Sequence, residues 1–273
     1  MEKIKLLALD MDGTTLQDDE TISKIDLDAI KKANAQGILI VPSSGRSIDN
    51  IPMEIINLPV KYAITKNGSI INDVENNVEL YHEVIDCELA KRIVKFLEGK
   101  NIFLLADING KRIISGDNLE NVKATYKNLH FDQANVVANL YDYIDNNQCS
   151  IDKVGILVMD EDIRRAILDK QRDFLELNIM QTSPISIEIN NRLASKGNAL
   201  KWLAKRLGMS QENIAAIGDS DNDLIMLCYA GYSFAMTNGT LYARETADEI
   251  TLSNQENGVA FAIDKILTHN YNI

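Results

Sequence analysis

Asp10 and Asp12 stand two residues apart, directly after the apolar run Leu6-Leu7-Ala8-Leu9, and Gly13-Thr14 follows them as a turn signal. A continuous apolar run closed by a turn suits a strand buried on both faces of a parallel sheet. Two carboxylates at its carboxyl end repel one another, and no Lys or Arg flanks them. A cation must hold them, and oxygen ligands at a strand end suit Mg²⁺. One Asp after a strand is equally well explained as a turn former or helix cap. The pair followed by Gly-Thr is not.

Two further loops carry groups of the same kind. Pro42-Ser43-Ser44-Gly45-Arg46 closes the apolar run 38–41, and Gly218-Asp219-Ser220-Asp221-Asn222-Asp223 closes the run 214–217. Taken singly, the first also fits a plain Ser-Gly turn and the second a solvated acidic turn. A parallel sheet, however, brings all three strand tips to one edge. Together they point to phosphoryl transfer through an aspartate, a reaction that needs charge neutralisation and in-line geometry more than covalent help. Mg²⁺ held by Asp10, Asp12 and Asp219 would neutralise carboxylates and phosphate oxygens. Asp10 would attack phosphorus. Asp12 would protonate the leaving oxygen and then activate water. The Ser44 hydroxyl, backbone N–H groups and Lys196 would cradle the phosphate. Lys196, in Ser195-Lys196-Gly197 ahead of a helix, fits an ordinary surface lysine as well.

These residues need a scaffold, and the apolar pattern supplies one. Residues 22–36 show a helical stripe ended by Gly37, 38–41 a second buried strand, 48–56 a short helix, and 62–65 a third strand followed by Asn67-Gly68. Residues 70–72 and 78–80 suit a hairpin. Strand, helix, strand predicts a right-handed parallel crossover. From Tyr81 the texture changes. A helix at 86–97, a hairpin about Asn109-Gly110, a strand at 154–158, an amphipathic helix at 161–177 and strands at 179–182 and 185–189 indicate an α+β layer. Residues 119–140 carry no readable period. The α/β pattern returns with a helix at 198–207, a strand at 214–217, a helical turn at 224–230, a strand at 232–236 and helices at 241–247 and 258–267. The expected architecture is a discontinuous, doubly wound parallel core at 1–80 and 190–273, with an inserted α+β domain at 81–189.

Bulk properties set limits. The chain has 273 residues, 45% of them hydrophobic and 25% charged, with a net charge of −12. That is globular composition. Its acidity argues against sequence-independent nucleic-acid binding, which depends on Lys and Arg. An anionic substrate must therefore be drawn in by a metal or a few placed cations. Cys87, Cys149 and Cys228 are odd in number and far apart, which suggests a reducing compartment and buried free thiols. Neither a secretory leader nor an apolar stretch of the ~18 residues that span a bilayer is visible, so a cytoplasmic location with no membrane partner is expected.

The four motifs Asp10-Met11-Asp12-Gly13-Thr14, Ser44-Gly45-Arg46, Lys196-Gly197 and Gly218-Asp219-Ser220-Asp221-Asn222-Asp223 resemble, in order, those of the haloacid dehalogenase-like hydrolases. The large insertion between the second and third resembles the Cof-like branch with a type II cap. Asn67-Gly68 and Ala235-Met236 also match that branch, whereas Thr237-Asn238-Gly239 stands where Gly-Asn-Ala is usual. The resemblance implies a Rossmann-like core, an α/β cap and Mg²⁺-dependent hydrolysis of phosphate monoesters. It makes Asp10 nucleophile and metal ligand, and Asp12 acid/base and metal ligand through its backbone carbonyl. Asp219 would be the remaining ligand, with Asp223 supporting the metal directly or from behind. Met11 and Gly45 would give backbone N–H groups to phosphate, joined by Ser44, Lys196 and Asn222.

The implied partner is a small phosphorylated metabolite: sugar phosphates first, phosphorylated cofactors next. The inserted domain is expected to set the choice by closing over the site, with Tyr141, Tyr143 and His130 as candidate contacts or as core and loop positions. Dehalogenation is disfavoured, because Asp12 would have no leaving group to protonate. A phosphomutase shares the nucleophile and cap style. A phospho-aspartate signalling module uses similar groups but is small and lacks an acid two residues after the nucleophile. A silent sugar-phosphate binder would not need every catalytic side chain.

Overall fold

β1 (Leu6–Asp10) is buried along its whole length and has a parallel neighbour on each side. A computed structural model of the protein describes residues 2–117, 119, 120 and 135–272. After β1 come α1 (Lys24–Ala35), β2 (Leu39–Ser43), α2 (Met53–Ile56), β3 (Tyr62–Thr65), β4 (Ile70–Asp73) and β5 (Val78–His82). Next follow α3 (Cys87–Leu97), β6 (Phe103–Ile108), β7 (Lys111–Ser115), β8 (Val136–Val137) and α4 (Leu140–Asn147). Then come β9 (Lys153–Leu157), α5 (Glu161–Asp169), β10 (Leu177–Ser183) and β11 (Ser186–Asn191). The chain finishes with α6 (Lys196–Arg206), β12 (Ile214–Gly218), α7 (Leu224–Tyr229), β13 (Tyr232–Ala235), α8 (Leu241–Thr246), β14 (Glu249–Ile250) and α9 (Gly258–Tyr271). It divides into two compact units, Met1–His82 with Ala194–Ile273, and Glu83–Leu193.

The first unit is built on an eight-stranded sheet in the order β14-β13-β12-β1-β2-β3-β4-β5. Pairing is parallel from β14 to β3 and antiparallel from β3 to β5. Side chains of β1 alternate between two cores. Leu7 and Leu9 pack with Ile30 of α1 and Ile263 of α9, while Leu6 and Ala8 pack with Leu200 and Leu203 of α6. Helices on both faces explain why these strands read as unbroken apolar runs. The sheet is doubly wound and Rossmann-like. From β1 the chain moves to β2 on one side, and β12 lies on the other, so the topological switch falls between β1 and β12, where ligands of such sheets bind.

The second unit has a six-stranded sheet in the order β10-β11-β9-β6-β7-β8, antiparallel except for β7 with β8. Leu89, Ile93, Ile144 and Ile167 from α3, α4 and α5 cover one face, meeting Ala106, Val154, Ile156 and Ile187 of the strands. This is the α+β cap. Asn109 and Gly110 at the β6–β7 turn have φ of 49° and 77°, as a two-residue hairpin turn requires. Tyr141 and Tyr143 pack half-buried against the cap core. His130 lies outside the described residues.

Several expectations are corrected. Residues 48–56 are not one helix: a 3₁₀ turn at Ile48–Asn50 is followed by α2, because Pro52 forces Ile51 into extended backbone at φ −75° and ψ 132°. The helix expected over 161–177 stops at Asp169. The polar run 169–173 offers no apolar face, so Phe174 and Leu177 are buried from separate elements, Leu177 as the start of β10. The thiols are free but not buried. Cys87 and Cys149 are half-exposed, and Cys228 is exposed on the outer side of α7, opposite Met226 and Leu227. Among the described residues, no helix is long and apolar enough to cross a membrane.

Candidate active site

Sheet register assembles the site. Asp10 pairs with Ser43 on β2, Ser43 with Ile64 on β3, and Leu9 with Ile217 on β12, so the loops after these strands leave from one edge. Lys196, the first residue of α6, is brought to the same edge and is only 1% exposed. Its Nζ lies 2.6 Å from Asp10 Oδ1 and 2.7 Å from Asp223 Oδ1. Burial alone would lower the lysine pKa, but the two carboxylates outweigh it and hold the ammonium charged. Asp10 is pushed well above the ordinary carboxylate range, first by burial and then by the Asp223 charge, with Lys196 opposing both.

Asp223 organises its own loop. Its Oδ2 accepts from the backbone N–H groups of Asp219 and Ser220 at 3.0 and 3.1 Å, closing the turn after β12. Asp219 is raised by burial and by Asp223, and its Oδ1 accepts from Thr14 Oγ1 at 3.2 Å. Ligand atoms of Asp10, Asp219 and Asp223 lie within 4.8 Å of one another. Among the described residues, Asp10 Oδ2 is buried with no hydrogen-bond partner. A buried carboxylate oxygen is not left orphaned without cause. An unpaired oxygen among hard oxygen donors fits a divalent cation, so this trio can hold a metal. Both oxygens of Asp223 are already bonded within the protein, which leaves Asp10 and Asp219 the freer donors.

The Asp12 side chain is not part of the trio. Arg46 Nη2 reaches its Oδ1 at 2.6 Å. The cations that the Asp10–Asp12 pair calls for include two side chains distant in sequence: Lys196 serves one carboxylate and Arg46 the other. Ser44 is buried, and its hydroxyl accepts from Arg46 N–H at 3.1 Å, which leaves its proton to donate. Met11 is buried at the turn, its carbonyl accepting from Thr15 and Leu16. Gly45 sits against Asn67, whose Oδ1 would lie 3.0 Å from a Cβ placed there. Asn222 donates to that same Oδ1 at 2.9 Å.

A family model described as haloacid dehalogenase-like hydrolase matches residues 7–263. The chain belongs to that family. Among relatives of this hydrolase, the 5-amino-6-(5-phospho-D-ribitylamino)uracil phosphatase YcsE of Bacillus subtilis is 34% identical over 95% of this chain and 94% of its own. A solved haloacid dehalogenase-like hydrolase from B. subtilis is 28% identical, with a TM-score of 0.77 over 96% of this chain and 99% of its own. The subclass IIB sugar phosphatase BT4131, at 22% identity, shares the fold with a TM-score of 0.76 over 96% of this chain and 98% of its own. The hydrolase is thus a phosphatase of the Cof type, with a capped Rossmann-like core.

Three residues quoted among the motifs have partners that the sequence does not reveal. Arg46 stands in the second motif, and its partner follows from register: with Asp10 opposite Ser43, Asp12 and Arg46 both lie just beyond the strand tips. Thr14 stands in the first motif and Asn67 in the Asn67-Gly68 pair, but their partners Asp219 and Asn222 are 205 and 155 residues away along the chain. In the cap, the sheet face away from the helices carries Phe103, Leu105, Ile114 and Leu157 beside the ion pairs Arg112–Asp107 and Lys153–Glu188, around a cavity of about 270 Å³. Only strand alternation marks that face.

Proposed function

We propose that this hydrolase removes phosphate from small phosphate monoesters through an aspartyl phosphate on Asp10, with Mg²⁺ as its ion. The observation that carries this reading is the state of Asp10: one oxygen is fixed by Lys196 and the other is buried without a partner among the described residues. Bound by Asp10, Asp219 and the Asp12 carbonyl, with Asp223 behind, Mg²⁺ would supply positive charge against the phosphoryl oxygens. Ser44, Lys196 and Asn222, with the Met11 and Gly45 N–H groups, hold those oxygens.

A carboxylate oxygen of Asp10 attacks phosphorus, and the P–O bond to the leaving group breaks. Asp12 gives its proton to the departing alkoxide. Asp12, now ionised, takes a proton from water as that water attacks the aspartyl phosphate, releasing inorganic phosphate and restoring both carboxyl groups. The 5-amino-6-(5-phospho-D-ribitylamino)uracil named for the relative and a panel of sugar phosphates are the first substrates to compare.

The test is turnover of p-nitrophenyl phosphate with Mg²⁺ and with EDTA, with acid-quenched protein mapped for phosphate on Asp10. Release well beyond one equivalent, dependent on the metal, supports the reading. Labelling that stops at one equivalent points to a signalling module, and return of the phosphoryl group to a sugar points to a mutase.

A further inference from the structure

Lys66, Asn67 and Gly68 have consecutive positive φ angles of 48°, 56° and 91°. For a residue with a Cβ, this left-handed region is disfavoured because the Cβ crowds the following carbonyl oxygen. Such strain persists only where the surroundings over-determine it, and it clusters at functional sites. Here three loops hold the turn. Lys66 N–H donates to Arg46 O at 2.9 Å and Asn67 N–H to Ser44 O at 3.0 Å. Gly68 lies so close to the start of α6 that a Cβ would fall 2.1 Å from Ser195 O and 2.6 Å from Lys196 N. From the loop after β12, Asn222 Nδ2 donates to Asn67 Oδ1 at 2.9 Å. The turn therefore touches the segments that carry Ser44, Lys196 and Asn222.

The two carboxamides are unevenly used. Asn222 Oδ1 accepts from Ser220 Oγ at 2.8 Å. One Nδ2 hydrogen goes to Asn67, and among the described residues the second has no acceptor. Asn222 is exposed, so these two bonds, rather than packing, set the plane of its amide.

We propose that Asn67 is a positioning residue for phosphoryl recognition: it locks the Asn222 carboxamide so that the second N–H is presented to a phosphoryl oxygen. This rests on the phosphatase reading and deepens it. Asn suits the place for two reasons: it tolerates left-handed backbone better than other residues with a Cβ, and its side chain offers an acceptor.

The decisive variant is Asn67→Gly in the full chain, compared with Asn222→Ala and the double variant. Glycine adopts positive φ freely, so thermal stability should be equal to or above wild type. KM for p-nitrophenyl phosphate and the inhibition constant of inorganic phosphate should each rise about tenfold, the size of one lost hydrogen bond to a charged group. Because Asn67 acts through Asn222, the double variant should be no weaker than Asn222→Ala alone. Native KM and phosphate inhibition in Asn67→Gly, or losses that add in the double variant, overturn the proposal and leave the phosphatase reading intact. A glycine variant less stable than wild type also overturns it, since Asn67 would then be a structural residue. Wild-type protein that cleaves no phosphate ester removes the reading beneath it instead.

Discussion

Arg46 forks onto Asp12: Nη2 lies 2.6 Å from Oδ1, and Nε lies 3.0 and 3.1 Å from Oδ1 and Oδ2. Glu20 shares the same Nη2 at 3.2 Å. Such a fork fixes the direction of a carboxylate as well as its charge. In the proposed reaction Arg46 therefore sets which way the Asp12 carboxyl group faces.

Arg46→Ala should therefore lower kcat by about 10- to 100-fold on an alkyl phosphate, within the range of lost acid catalysis. The loss on p-nitrophenyl phosphate should be smaller, because nitrophenolate departs without a proton. The pair is partly solvated, so fold stability should change by no more than about 1 kcal/mol. Steady-state kinetics on the two esters check this, and equal losses on both would separate Arg46 from acid–base chemistry.

Asp10→Asn should end turnover and strengthen the fold. Burial and Asp223 raise the Asp10 carboxyl well above its ordinary value of 3.8. A folded pKa above the unfolded one means that the native state binds protons more tightly, so the wild type loses stability as pH rises between the two values. The amide carries no such charge. In EDTA at neutral pH the variant should gain about 0.5–2 kcal/mol, the scale of relieved active-site strain. The gain should shrink on acidification towards the ordinary carboxylate range. Calorimetry across a pH series decides it, and a gain that grows on acidification contradicts the assignment.

Lys196→Met should do the opposite. The ammonium is buried between two carboxylates, and removing one member of a buried ionic group leaves uncompensated charge costing about 3–5 kcal/mol. Urea denaturation should show that loss at neutral pH and a partial recovery in acid, where the Asp10 carboxyl, already raised by burial, takes up a proton. Turnover should be lost as well.

Gly13→Ala should weaken metal binding. Gly13 has φ +78°, and a Cβ there would lie 2.5 Å from Asp219 Oδ2. The carboxylate must move, or the backbone must change its turn. Calorimetric titration with Mn²⁺ should show affinity reduced at least about tenfold, in the range seen when metal ligands lose their orientation. Unchanged affinity would exclude Asp219 from the metal site.

Burial on both faces makes a strand conspicuous, so the core strands at 6–9, 38–41, 62–65 and 214–217 stand out as apolar runs and match β1, β2, β3 and β12 closely. Elements whose ends depend on a local competition do not. Pro52 splits a stretch that has helical spacing, and the run 169–173 ends α5 although Phe174 and Leu177 continue its period. Helical spacing records which side chains are apolar, not which element buries them.

The chain alone determined the chemistry available to it: Asp10 and Asp12 after one apolar run, Ser44 after another and an acidic loop after a third, since residue type and strand-end position are local properties. Tertiary structure alone decided which charge neutralises which. Lys196, equally suited by its sequence to the surface, is buried against a carboxylate 186 residues away, Arg46 grips the Asp12 side chain, and Asn67 meets Asn222 across a strained turn. Those pairings follow from strand order and register, which bring distant loops within hydrogen-bond reach, and no spacing along the chain encodes them.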